Sequence, residues 1–106
     1  MRILFDHGTP VPLRLLLRGH EIVTAYERGW SRLKNGELLA AAESEQFEVL
    51  ITTDRNLRYQ QNLAGRAITV MVLSTTSWPR IRAAEDIVVS ALASLAPSGV
   101  FEIEIP

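Results

Sequence analysis

The chain has no cysteine, a single lysine and almost no net charge. The absence of cysteine excludes disulfide bonds, zinc–thiolate centres and thiol catalysis. A formal net charge of −1 provides no general attraction to nucleic acid, so any binding of a polyanion depends on a local basic patch. Every basic residue except Lys34 is an arginine, which suits two-point binding of phosphate and is equally typical of an arginine-rich genome.

Long hydrophobic runs are also missing. No apolar stretch approaches the roughly 18 residues of a membrane span, and the short apolar run at the start is typical of a first strand rather than a signal peptide. We therefore expect a cytoplasmic protein without membrane association. With 106 residues, of which 47% are hydrophobic and 22% charged, the composition predicts one globular domain over residues 1–106.

Apolar runs and helical patterns alternate along the chain, with one irregular segment at 26–34. The runs predict strands over residues 3–5, 20–25, 48–53, 67–73 and 99–105. The helical patterns predict helices over 13–19, 36–46 with Asn35 as N-cap, 55–63, and 77–95 with Pro79 in its first turn. Such alternation implies parallel pairing through right-handed crossovers. We predict a three-layer α/β/α sandwich with a mainly parallel sheet of about five strands, the last at an edge.

Two carboxylates follow predicted strands at the point where each strand ends. Asp6 and Asp54 are expected to converge because ligands of open α/β sheets bind outside the carboxyl ends of the strands. Mg²⁺ typically takes one or two carboxylates and keeps several waters. Glu37, in the first turn of the second helix, is the candidate third acid. Each acid also has a structural interpretation, since both aspartates suit helix caps and Glu37 stabilises a helix N-terminus.

Four neighbouring residues are candidates for supporting roles. Thr52 and Thr53 precede Asp54, and we expect one hydroxyl to point into the site and the other to pack away because strand side chains alternate. Asn56 offers a carbonyl oxygen to a cation. His7 follows the first acid directly, and histidine is a common proton-transfer group in enzymes, although this residue is also typical of an exposed turn.

Several stretches, in this order along nearly the whole chain, resemble a known family. They are residues 1–6, 16–23, 29–30, 36–42, 49–56 and 68–73, and the most specific is Thr-Thr-Asp-Arg at 52–55 after a buried strand. The chain resembles the small PIN-like proteins related to toxin components of bacterial toxin–antitoxin systems, a group described as a domain of unknown function with a PIN-like fold.

The resemblance implies a metal-dependent ribonuclease. Asp6 is similar to the first acid of the family, Glu37 to the helix acid and Asp54 to the third, which together bind Mg²⁺ or Mn²⁺. The implied reaction is attack of metal-activated water on an RNA phosphodiester, with Arg55 or Arg58 holding the RNA backbone. A cognate antitoxin and a homodimer are the implied protein partners.

The sequence departs from that pattern at three places. His7-Gly8 replaces the usual Glu-Asn, while Asn35 and Asn56 stand where relatives commonly carry Asp. A site with fewer carboxylates binds Mg²⁺ more weakly. The alternative is therefore a non-catalytic PIN-like module that binds a partner, such as an antitoxin, through the same acidic cleft.

A phosphoacceptor receiver domain is a further alternative. Asp54 at the end of the third strand, Asp6 after the first and residues 74–76 after the fourth match its parts. Receivers, however, usually carry two adjacent acids after the first strand and a lysine after the fifth. Here Asp6 is followed by a histidine, and the sole lysine is Lys34.

Overall fold

The described part of the chain contains five strands, which form one all-parallel sheet. The computed structural model describes residues 1–56, 66–96 and 99–106, and the sheet order within them is β2-β1-β3-β4-β5. The strands are β1 (Arg2–Phe5), β2 (Glu21–Thr24), β3 (Val49–Thr52), β4 (Thr69–Leu73) and β5 (Gly99–Ile103). The predicted parallel sheet of about five strands is confirmed, with the last strand at an edge.

The central strands are buried on both faces. Every residue of β3 and β4 is buried, as expected for parallel strands covered by helices on either side. Because side chains alternate along a strand, odd and even positions enter separate cores. Ile3, Phe5 and Ile51 belong to one core cluster, and Leu4 and Leu50 to the other.

One helical layer covers each face of the sheet. Helix α1 (Asn35–Ser44) places Leu38, Leu39 and Ala42 in the core that contains Leu4. The opposite core receives side chains from a short 3-10 helix, η1 (Val11–Leu15), and from helices α2 (Trp78–Ala83) and α3 (Glu85–Ala93). The described residues therefore form the three layers that the sequence predicted.

Two predicted helices were wrong in detail. The segment 77–95 is not one helix, because the chain bends at Ala84 (φ −102°, ψ 26°), which ends α2 and begins α3. The segment 13–19 is not an α-helix: η1 instead begins at Val11 with Pro12 in its first turn, and its bonds, such as Leu16 N–H to Leu13 O at 2.9 Å, span three residues. The predicted helix over 55–63 lies outside the described residues apart from its first two, which form a turn.

The strand order places a switch point between β1 and β3. The chain passes from β1 to β2 on one side of it, whereas β3 pairs with β1 on the other side. At such a point the connections leave the sheet in opposite directions, and a crevice opens at the carboxyl ends of the two strands.

Within the described ranges, no helix is long and apolar enough to cross a membrane.

Candidate functional site

A buried threonine hydroxyl links the two aspartates predicted from the sequence. Thr52 is only 1% exposed, and its hydroxyl donates to Asp6 Oδ2 while accepting the Asp54 N–H at 3.1 Å. The pairing of Phe5 with Ile51 sets this arrangement, since the next residues along β1 and β3 are Asp6 and Thr52. Asp6 and Asp54 thus lie at one edge of the sheet, at the switch point.

The Asp6 carboxylate is held by its own turn as well as by β3. Its Oδ1 atom accepts the Gly8 N–H at 3.2 Å and lies 2.8 Å from the hydroxyl of buried Thr9. That hydroxyl is also 2.8 Å from the Ile51 carbonyl oxygen, so its single proton bonds to one of the two acceptors at a time. These contacts fix the orientation of the carboxylate before any ligand arrives.

Asp54 repeats the local geometry of Asp6. Its Oδ1 atom accepts the N–H of Asn56, two residues ahead, at 2.9 Å, just as Asp6 accepts the N–H of Gly8. This is the turn that aspartate and asparagine commonly form with their own backbone. Each aspartate therefore uses one carboxylate oxygen in a turn of its own backbone, to which Asn56 contributes its N–H. Asp6 does not cap the helix that follows it, because the N-cap of η1 is Pro10, and the helix predicted after Asp54 lies largely outside the described residues.

Glu37 occupies a different structural position from the two aspartates. Its Oε1 atom accepts the N–H of Lys34 at 3.2 Å. Lys34 is the N-cap of α1, so the helix begins one residue earlier than predicted from Asn35 as the cap. Across residues 1–56, 66–96 and 99–106, no group of three or more His, Cys, Asp or Glu side chains is placed to hold a metal ion. The three predicted acids are therefore not gathered into one cluster, and Glu37 is exposed at a helix start.

Both threonines contact the turn after β1. The Thr53 hydroxyl donates to the Gly8 carbonyl at 3.3 Å, so the expectation that one threonine packs away was wrong. The strand ends at Thr52, and the alternation of side chains no longer applies to the next residue. The approach is close: a Cβ atom added at Gly8 would lie 2.9 Å from Thr53 Oγ1.

Of the two arginines predicted to bind RNA, only Arg55 lies among the described residues. Arg55 forms an ion pair with Glu104 at 2.8 Å, in which both side chains are more than half exposed, while Arg58 lies outside the described residues. An exposed pair of this kind contributes only about 0.2–1 kcal/mol. Arg55 can therefore exchange Glu104 for a phosphate at small cost.

A cleft of about 440 Å³ opens beside Asp6, on the side of β2. It is lined by Asp6, His7, Thr9, Val11, Arg14, Thr24, Tyr26, Glu27 and Ser31. His7 is thus one of the residues that line this cleft. Most of the other residues were missed from the sequence, and the one signal for them was the irregular segment that starts at Tyr26.

An ion pair shapes the far wall of this cleft. Glu27 accepts a hydrogen bond from the Arg14 guanidinium and another from the Thr24 N–H at 2.9 Å. The Thr24 N–H, followed by Arg14, lowers the pKa of Glu27 below its ordinary value, so the carboxylate stays charged at neutral pH. A second hydrogen bond joins the same two residues, since the Thr24 hydroxyl accepts the Glu27 N–H at 3.0 Å.

The hydroxyls expected for a receiver domain hold the backbone instead. Ser74 Oγ accepts the Ile105 N–H at 2.7 Å, and Thr75 Oγ1 accepts the Ser77 N–H at 3.0 Å. The strand order is one that doubly wound proteins, including receivers, share. However, Glu104 follows β5 where a receiver has its lysine, and Lys34 lies at the start of α1.

Comparison with protein-family models, with curated proteins and with solved structures gave no match to this chain. The chemistry of the edge formed by Asp6, Thr52 and Asp54 is therefore the basis for assigning a function.

Proposed function

We propose that the carboxyl edge of β1 and β3 binds Mg²⁺ or Mn²⁺ and hydrolyses phosphodiester bonds of RNA. The observation that carries this proposal is the Thr52 hydroxyl, which joins Asp6 and the backbone of Asp54 at the switch point of the sheet. The choice of RNA as the polymer comes from the resemblance to PIN-like ribonucleases. The choice of the cation comes from the oxygen ligands themselves.

The residues at this edge fit a hydrated divalent cation. They supply carboxylate and hydroxyl oxygens, the hard ligands that Mg²⁺ and Mn²⁺ prefer. Asp6 Oδ2 accepts a hydrogen bond from Thr52 and retains a lone pair for a cation, whereas Oδ1 serves the turn through Gly8 and Thr9. Two carboxylates suffice for an ion that keeps most of its waters.

The chain's own groups have distinct tasks in this proposal. Asp6 and Asp54 would hold the cation, which when bound supplies Lewis acidity and a water of lowered pKa for attack at phosphorus. Thr52 and Thr9 keep the first carboxylate oriented, so little reorganisation is needed on binding. Arg55, close in sequence to Asp54 and exposed, would bind a phosphate of the RNA backbone in place of Glu104.

A second candidate is a binding module without turnover. The position of Glu37 favours it, because this acid caps α1 and the described residues hold no cluster of three candidate ligands. In that case the same edge would bind a protein partner, such as a cognate antitoxin or a second copy of the chain, and the cation would have a structural role.

Metal titration combined with a cleavage assay distinguishes the two candidates. Metal-free protein is titrated with Mn²⁺ by calorimetry and then tested on single-stranded RNA with Mg²⁺ or Mn²⁺. We expect Asp6→Asn and Asp54→Asn each to lower cleavage by at least roughly a hundredfold, since even residues that only support a metal ligand cost 10–100-fold. The matched control is Asp86→Asn, an exposed aspartate in the first turn of α3.

Each outcome has a separate meaning. Cleavage that survives Asp54→Asn refutes the nuclease proposal, as does absence of cleavage by metal-loaded protein. Cation binding without cleavage supports the binding module. Glu37→Gln keeps an oxygen that can accept the Lys34 N–H. A large loss of cleavage in Glu37→Gln would therefore show that the charge of Glu37 takes part in the reaction.

A further inference from the structure

We propose that the cleft beside Asp6 binds an unpaired nucleobase of the substrate, stacked on Tyr26. This inference rests on the proposed function and adds the form of the substrate: single-stranded RNA, with one base turned away from its neighbours. Three features of the cleft carry it, namely an exposed aromatic wall, polar groups at its far side, and a shared residue with the candidate cation site.

The aromatic wall is unusually exposed. Tyr26 is 79% exposed, more than any other large hydrophobic side chain that the structure describes, and Val11 on the same cleft is 53% exposed. A single exposed apolar residue is ordinary. Two of them lining one cleft leave a flat ring and an aliphatic surface without a partner, which is the kind of platform on which bases of single strands stack.

The polar wall offers both hydrogen-bond donors and acceptors. The Arg14 guanidinium pairs with Glu27, and the two side chains are 35% and 48% exposed, so both are accessible from the cleft that they line. The edges of nucleobases carry carbonyl and ring-nitrogen acceptors beside amino donors. Arg14 and Glu27 are the two complementary partners that such an edge requires.

The position of Asp6 selects a nucleotide over other aromatic ligands. Asp6 lines the cleft and also belongs to the candidate cation site through its bond to Thr52. A ligand in the cleft therefore has its other end beside the cation, where a phosphate is favoured. A peptide side chain would fill the aromatic wall but would bring no phosphate. The volume of about 440 Å³ suits one base with its sugar, since small-molecule sites range from about 300 to 1,000 Å³.

A base inside a duplex cannot reach this wall. Proteins that read single-stranded RNA stack splayed bases on aromatic rings, whereas paired bases remain in the helical stack. The cleft therefore predicts preference for unpaired RNA, and it predicts that Tyr26 acts by positioning the substrate. Loss of the ring should raise KM and leave the cleavage step at saturating RNA little changed.

The test measures affinity separately from cleavage. All proteins carry Asp54→Asn, so that the RNA is not cleaved during the measurement, and Asp54 does not line the cleft. Binding of a short labelled single-stranded RNA is followed by fluorescence anisotropy. We expect Tyr26→Ala to weaken binding about tenfold and Tyr26→Phe to retain it, because the ring supplies the contact. Leu15→Ala is the matched control, since Leu15 is 71% exposed and does not line the cleft.

Two further measurements complete the design. A series of the same RNA is made in which one abasic nucleotide is moved along the strand. At one position of the abasic nucleotide, the protein with Tyr26 and the Tyr26→Ala variant should bind the RNA with equal affinity. Urea midpoints of Tyr26→Ala and Leu15→Ala should stay close to that of the parent, because both side chains are exposed.

Unchanged affinity in Tyr26→Ala, or an equal loss in Leu15→Ala, overturns the base-stacking inference while leaving the metal titration and cleavage results untouched. Absence of RNA binding by every variant, together with absence of cleavage, overturns this inference and the proposed function together.

Discussion

The hydroxyl of Thr52 provides the most direct test of how the site is built. Thr52→Val keeps the shape of the side chain and its place in β3, so it creates no cavity. It removes one hydrogen bond to the Asp6 carboxylate and one from the Asp54 N–H. Any change in stability or cation binding therefore reports on those two bonds.

The expected size follows from the chemistry of the two partners. A hydrogen bond to a charged group contributes about 1.5–3 kcal/mol and a neutral one about 0.5–1.5 kcal/mol. Asp6 and Asp54 are half-buried, so water replaces part of what is lost. We expect a loss of about 2 kcal/mol in the free energy of unfolding, which for a domain of this size corresponds to a fall of roughly 10 °C in Tm.

Thr69→Val is the matched control. Thr69 is also a buried strand threonine, but it lies at the amino end of β4 and makes one long, neutral bond to the Ala96 carbonyl at 3.3 Å. Its replacement should cost about 0.5–1 kcal/mol and leave cation binding unchanged. Urea unfolding of both variants and of the parent, followed by Mn²⁺ titration, makes the comparison.

The cation titration adds a second readout. Thr52→Val frees Asp6 Oδ2 from one donor but also removes the contact that orients it, and we expect the second effect to dominate and weaken Mn²⁺ binding about tenfold. Equal urea midpoints for Thr52→Val and Thr69→Val would refute the argument that this hydroxyl organises the site. Unchanged Mn²⁺ affinity would refute the expectation that orientation of Asp6 by the Thr52 hydroxyl dominates cation binding.

Two further predictions concern the surroundings of the site. Gly8→Ala should destabilise the parent by about 1 kcal/mol because the new Cβ meets Thr53 Oγ1. In a Thr53→Ala background the same substitution should stabilise the protein by about 0.4–1 kcal/mol, because it restricts the unfolded chain. Urea midpoints of the four proteins check this, and equal effects of Gly8→Ala in both backgrounds would contradict it. The lowered pKa of Glu27 means that its contribution to stability is complete above the unfolded value near 4.5 and is lost as the pH falls through the folded pKa. Glu27→Gln should therefore lose less stability than the parent on acidification below about pH 4.5, and parallel stability curves for the two proteins would count against the role assigned to the Thr24 N–H and Arg14.

The sheet was predictable because its strands are chemically distinct from the rest of the chain. Val49–Thr52 and Thr69–Leu73 are wholly buried, and mostly apolar sequence of this length is typical of a parallel strand covered on both faces. Parallel strands in turn place their carboxyl ends at one edge. The meeting of Asp6 and Asp54 there follows from topology without knowledge of any side-chain contact.

Features that depend on local competition escaped prediction. The apolar positions 81, 84, 88 and 92 continue a helical spacing through the bend at Ala84, so the pattern hides the break between α2 and α3. The position of Glu37 in the first turn of α1 suits both a cation and a backbone N–H at the start of the helix, and the structure shows the bond to the Lys34 N–H. The cleft was missed because Arg14 and Glu27 meet from different elements, and a polar loop carries no periodic signal.

The bonds of Thr52 also have a direction. Donation passes from the Asp54 N–H to the Thr52 oxygen, and from the Thr52 proton to Asp6 Oδ2. Bonds arranged head to tail polarise one another, so the electron density on Asp6 depends on whether the backbone at Asp54 keeps its place. A ligand that rearranges the turn after β3 would therefore change the hydrogen bond that Asp6 accepts from Thr52 without touching Asp6. By linkage, a cation on Asp6 would in turn bias that turn, so under the proposed function the two aspartates would respond as one coupled unit.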